Sequence, residues 1–134
     1  MLLTAAAMVT ADPLVLVRGE IIEEKFIGSD DIFETEPETI TIGGLTRVRV
    51  RVRQTLIGHL PPHTRSIVTV IPIATKAKGR RDIYLLVERD GVKWRGVHWD
   101  NAKEGICIPD NFAIERGIDQ RVSELKKKGI VICD

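Results

Sequence analysis

Arg47-Val48-Arg49-Val50-Arg51-Val52-Arg53 alternates without a break between a β-branched apolar residue and a guanidinium. Successive side chains of an extended chain point to opposite faces, so a period of two turns Val48, Val50 and Val52 toward a core and all four arginines the other way. A helix would scatter both sets around its axis. This stretch is a strand with one buried face, and the chain around it reads as a mainly β protein.

Working outward, the strand belongs to a longer extended region, Thr39–Ile42 and then Leu45–Leu56, interrupted by Gly43-Gly44. Upstream, Leu14–Ile27 is rich in Val and Ile, with Gly19 where a long strand bends or bulges. The polar, acidic stretch Ser29–Pro37 connects the two. Downstream, Gly58–Thr64 (GHLPPHT) is turn material and Ser66–Ile73 is a third strand, placed at an edge because Pro72 cannot donate to a ladder. After the basic loop Lys76–Arg81 come two strands, Asp82–Arg89 and Val92–Trp99, around an Asp90-Gly91 hairpin turn. Asp119–Lys128 reads as a helix with Val122 and Leu125 inward, Asp119 as its cap and Gly129 as its left-handed stop, followed by a short closing strand, Ile130–Cys133.

Five strands and one C-terminal helix make a small OB-like five-stranded barrel the economical architecture, because closure removes exposed edges; a β-sandwich is the alternative. Three stretches resemble small exported bacterial β-barrel proteins. Leu14–Ile22 resembles their VxGxV first strand, Val50–Gly58 their V-x-V-x-x-x-L-x-G strand and turn, and Ile67–Pro72 their IVTVIP strand. Netrin-type modules and the tissue inhibitors of metalloproteinases share this general barrel. The resemblance spans about half of the chain and implies an exported domain with an OB-like barrel, of a family without an assigned role. Those inhibitors act through an N-terminal cysteine. Nothing near Asp12 supplies one, so inhibition is not implied.

The chain of 134 residues, 43% hydrophobic with a net charge of +1, is long enough for one domain with a real core and carries no bulk charge toward nucleic acid or anionic membranes. No stretch approaches the roughly 18 apolar residues of a membrane-spanning helix, so no integral membrane segment is expected. The charges are sorted, however. Glu20, Glu23, Glu24, Asp30, Asp31, Glu34, Glu36 and Glu38 precede a stretch, 39–81, that contains no acid but holds Arg47, Arg49, Arg51, Arg53, Arg65, Lys76, Lys78, Arg80 and Arg81. If the acidic and basic segments are neighbouring strands, cross-strand ion pairs compensate the field internally.

Residues 1–11 form a short apolar run ending in Val9-Thr10-Ala11, a signal-peptidase pattern without its basic leader; a strand or terminal arm is the other reading. Residues 12–134 are then the single domain, periplasmic or secreted, or cytoplasmic if the run is no signal. Cys107 and Cys133, an even count, are compatible with one disulfide in an exported protein.

Chemistry is sparse. His59 and His63 are spaced like helical zinc ligands, but Pro61 and Pro62 between them forbid the helix. Cys107 with His98 and Asp100 could form a nucleophile, base and orienter, yet Gly105-Ile106-Cys107-Ile108-Pro109 is an apolar setting suited to a buried sulfur or a disulfide. No catalytic residue, metal or cofactor is therefore expected. Trp94 and Trp99 differ in parity, so a regular strand would bury one and offer the other to a ligand. The expected binding surface is Arg47, Arg49, Arg51, Arg53, Arg80, Arg81, Trp94 and Trp99. The expected function is an exported binding domain whose partner is a protein or cell-envelope component, with single-stranded nucleic-acid binding along the arginine strand as the rival. If the N-terminal run is a signal, intact mass of natively exported protein gives a chain starting at Asp12; recovery of residues 1–11 on exported material contradicts it.

Overall fold

A computed structural model of the chain describes residues 13–27, 45–72 and 81–133. The acidic connection 29–37, the stretch 39–42, the loop through Arg80 and residues 1–12 lie outside the described residues. Among the described residues there are five strands: β1 (Leu14–Phe26), β2 (Thr46–Ile57), β3 (Ser66–Ile71), β4 (Asp82–Asp90) and β5 (Lys93–Asn101). They form one antiparallel sheet in the order β3-β2-β1-β4-β5, so the described residues hold no second sheet of the alternative sandwich. Alternation along β2 is as read: Val48 and Val50 are buried, Val52 is half-buried, and the four arginines are exposed. Pro72 follows β3 directly, and β3 is an edge.

The barrel expected from the sequence is not closed by a ladder. All five strands nevertheless feed one inner core, in which Val15, Val17 and Ile21 meet Val48, Val50, Ile67, Ile71, Ile83, Leu85 and Val87, with Trp94 and Trp99 packed against them. The sheet curls until its edges meet by contact. Thr69 Oγ1 donates to the Trp94 carbonyl at 3.0 Å, and a Cβ placed on Gly96 would lie 2.7 Å from the Val70 carbonyl oxygen. Only glycine permits that approach.

On the opposite face of β1 and β4, Leu14, Leu16, Tyr84 and Leu86 build a second core with the C-terminal segment. That segment holds α1 (Asp110–Glu115), which the sequence reading missed, and α2 (Asp119–Lys127). Both helices close with the same motif, glycine in the left-handed region followed by a hydrogen bond back to the last turn: Gly117 at φ 72° with Ile118 N to Ala113 O at 2.9 Å, and Gly129 at φ 80° with Ile130 N to Leu125 O at 2.9 Å. Asp119 does not cap α2; Ile118 holds that position with no side-chain hydrogen bond. The closing strand shrinks to one parallel bridge, Ile106 with Val131. Beside it Cys107 and Cys133 sit at disulfide distance, 2.01 Å between sulfurs and 26 residues apart, a closure that contributes about 3 kcal/mol in the chain-entropy model.

Two details of β4 and β5 differ from the sequence reading. The hairpin is displaced by one residue, with Asp90 paired to Lys93 and Gly91-Val92 forming the turn, Gly91 at φ 64°. A bulge also leaves Val97 unpaired between His98, opposite Leu86, and Gly96, opposite Val87. The extra residue reverses parity, so Trp94 and Trp99 face the same inner core while Val97 packs on the outer one. Closure by contact at Gly96 sets a prediction: Gly96→Val should lower stability by about 1–3 kcal/mol and red-shift the tryptophan emission as the β3 and β5 edges separate. An unchanged urea midpoint and spectrum would contradict it.

Candidate ligand groove

The β2–β3 ladder runs from Thr46, opposite Ile71, to Arg51, opposite Ser66, and its last bond is Val52 N to Arg65 O at 2.9 Å. What stops it is the returning arm, Gly58-His59-Leu60-Pro61-Pro62-His63-Thr64. Two prolines remove two donors, and His63 at φ 66° turns the backbone away. Thr64 fixes that turn through its amide and its hydroxyl, which both donate to the Pro61 carbonyl, at 3.2 and 2.7 Å. Among the described residues, Arg53 to Ile57 consequently keep β1 on one side and have no strand on the other.

The gap between the two arms is a groove of about 810 Å³. Its apolar lining includes Leu14, Leu56, Ile57, Leu60 and Ile118, and its third wall is the α1–α2 turn, Arg116-Gly117-Ile118, with Arg121. Arg121 fastens α2 to the strand by donating to the Leu56 carbonyl at 2.7 Å and to Glu124 at 2.6 Å. Arg116 is held by Glu88, which also accepts from Arg95. Glu88 is therefore shared between Arg116 at the rim and Arg95 on β5. Hydrogen bonds from Arg116 and then Arg95 hold the Glu88 carboxyl below the usual glutamate range. His59 and His63 stand on the opposite rim, and among the described residues no Asp or Glu lines the groove.

The surface expected from the sequence lies elsewhere. Arg47, Arg49, Arg51 and Arg53 share the exposed face of β2, but Arg49 pairs with Glu23, and Arg53 with Glu20 at 3.1 Å. Glu24 does not join them. A bulge at Ile22 places it opposite Val48 on the other face, where both its carboxylate oxygens are buried without a hydrogen-bond partner. Arg81 lies over Trp99 at 5.9 Å and Arg89 over Trp94 at 5.7 Å, so each half-buried indole already has a guanidinium on its ring; Arg80 is outside the described residues.

His98 Nε2 is 2.9 Å from Asp100 Oδ2, which also accepts the Cys107 amide at 3.0 Å. Cys107 is bridged rather than a free thiol, so this trio has no nucleophile, and a cleft of about 280 Å³ between His98 and Phe112 is almost wholly apolar. No group of three metal-ligating side chains occurs among the described residues. The groove itself was absent from the sequence reading, which weighed His59 and His63 as a metal pair. No family model, curated protein or solved structure matches the chain.

Because the folded Glu88 carboxyl is depressed, its contribution is complete above the unfolded glutamate value of about 4.3 and is lost as pH falls through the lower folded value. Glu88→Gln should cost about 1–2 kcal/mol at neutral pH and converge with the parent in acid. Urea midpoints measured across that range check it, and a constant difference at every pH contradicts it.

Proposed function

We propose that the protein is a binding module, periplasmic or secreted, that engages a protein or cell-envelope partner through the groove between Arg53–Ile57 and the 58–64 arm. The observation that carries this reading is the interrupted ladder: among the described residues, a strand edge, an apolar floor and a rim without acids occur together in one concavity of ligand size. Partly open five-stranded barrels of the OB type also bind through strand faces and loops, which agrees with the curled sheet and with the resemblance in Leu14–Ile22, Val50–Gly58 and Ile67–Pro72. Export is supported by the bridged cysteines, since such pairs persist in oxidising compartments. No helix among the described residues is long and apolar enough to cross a membrane.

The nucleic-acid rival needs free cations and free aromatic faces on one surface. Two of the four stripe arginines are instead committed to carboxylates, and both tryptophans carry their own guanidinium. A fragment screen by amide-resolved NMR separates the readings. Shift changes should collect on residues 53–64 and 116–121 and vanish in Thr55→Trp, which fills the groove, while Arg49→Gln with Arg51→Gln leaves them intact. Hits scattered away from the groove would overturn the reading. So would tight, salt-sensitive binding of oligodeoxythymidine that the double arginine variant abolishes.

A further inference from the structure

We infer that the groove takes an extended peptide bearing acidic side chains, which adds a short strand to the open edge of Arg53–Ile57. This rests on the reading of the groove as the binding site and names the partner's chemistry.

Three observations converge on it. First, among the described residues the edge is unpaired for a chain-specific reason, since Pro61 and Pro62 in the returning arm cannot supply the ladder that β3 provides up to Val52. Main-chain donors and acceptors left on a strand edge are what a bound peptide uses for strand addition, and alternate side chains then supply selectivity. Second, the charged side chains among the described residues of the lining are Arg116 and Arg121, both guanidinium cations. The nearest compensating acids, Glu88 and Glu124, sit behind Arg116 and Arg121, and Glu88 is shared with Arg95. At Arg116, whose carboxylate partner is shared with a second guanidinium, a ligand carboxylate is favoured over a ligand ammonium. Third, Leu56, Ile57, Leu60 and Ile118 give the floor an apolar surface suited to an aliphatic side chain. A period-two peptide, acidic then aliphatic, presents both chemistries at once when extended.

The geometry also limits the length. The Leu56 carbonyl is already occupied by Arg121, and bulges opposite β1 at Arg53 and Leu56 bend the strand. Addition is confined to a few residues, so affinity depends on the rim charges as well as on the backbone.

The test is an NMR titration of the full chain with acetyl-Glu-Ile-Glu-Ile-Glu-amide. Three relatives of that peptide are titrated alongside: the Gln-for-Glu analogue, the Lys-for-Glu analogue, and a copy N-methylated at alternate amides. The Glu peptide should perturb residues 53–64 and 116–121, bind roughly tenfold or more tighter than the Gln and N-methylated forms, and weaken as salt rises; the Lys form should not bind. Equal binding of the Glu and Gln forms in the groove would overturn the acidic partner while leaving the groove as the site. Equal binding of the N-methylated form would overturn strand addition, as would displacement of the Glu peptide by decanoate at lower concentration. Absence of groove perturbation by all four peptides and by the fragments above would remove both the inference and the reading beneath it.

Discussion

Leu14 to Val17 are four consecutive buried residues at the centre of the sheet, and a strand with no side left for water must be covered twice. Val15 and Val17 are covered by the curl of the sheet itself, which brings the β3 and β5 edges together at Gly96. Leu14 and Leu16 are covered by the two helices. At about 1.5–3 kcal/mol for each large aliphatic side chain taken fully from water, this double coverage outweighs any single ion pair on the surface. It also explains how helices of six and nine residues persist, since neither is long enough to hold itself in water. They depend on the apolar face they cover, on their glycine stops, and on the bridge from Cys107 to Cys133.

The groove follows from the same arrangement. Toward its end β2 leaves the inner core, and Leu56 and Ile57 pack instead with Leu14 and the helices on the outer one. That change of face brings the strand end beside the α1–α2 turn, while the proline arm departs in another direction. Three walls therefore meet where the sheet stops pairing. An unpaired edge is ordinarily an aggregation hazard, and here it is short, bent by bulges, and carries exposed Arg53, Gln54 and Thr55. The edge is protected from indiscriminate pairing yet open to a short segment of matching charge.

Much of the fold was legible because its signals are local. The alternation from Arg47 to Arg53, the Pro72 edge, the hairpin around Gly91 and the Gly129 stop each depend on a few neighbouring residues. What could not be read depends on pairing across the sheet. A single extra residue at Val97 reverses the parity of Trp94 against Trp99, and one at Ile22 turns Glu24 away from the arginines that Glu20 and Glu23 meet. Helix α1 was missed because six residues span less than two turns and show no usable periodicity, although Gly117 carried the same stop signal as Gly129. The groove had a partial signature in Leu60-Pro61-Pro62-His63. Those residues say that pairing ends, whereas the opposite wall comes from Arg116 to Arg121, more than fifty positions away in sequence.

The central claim is that the β2–β3 ladder ends at Val52 and, among the described residues, leaves Arg53–Ile57 without a second neighbour. Cross-strand NOEs in the unliganded protein test it most directly. Contacts between backbone protons should run from Thr46 with Ile71 to Arg51 with Ser66, and none should link residues 53–57 with residues 60–64. A continuous series of cross-strand contacts into that second pair of segments would show the arms joined and the groove shut, and would contradict the account.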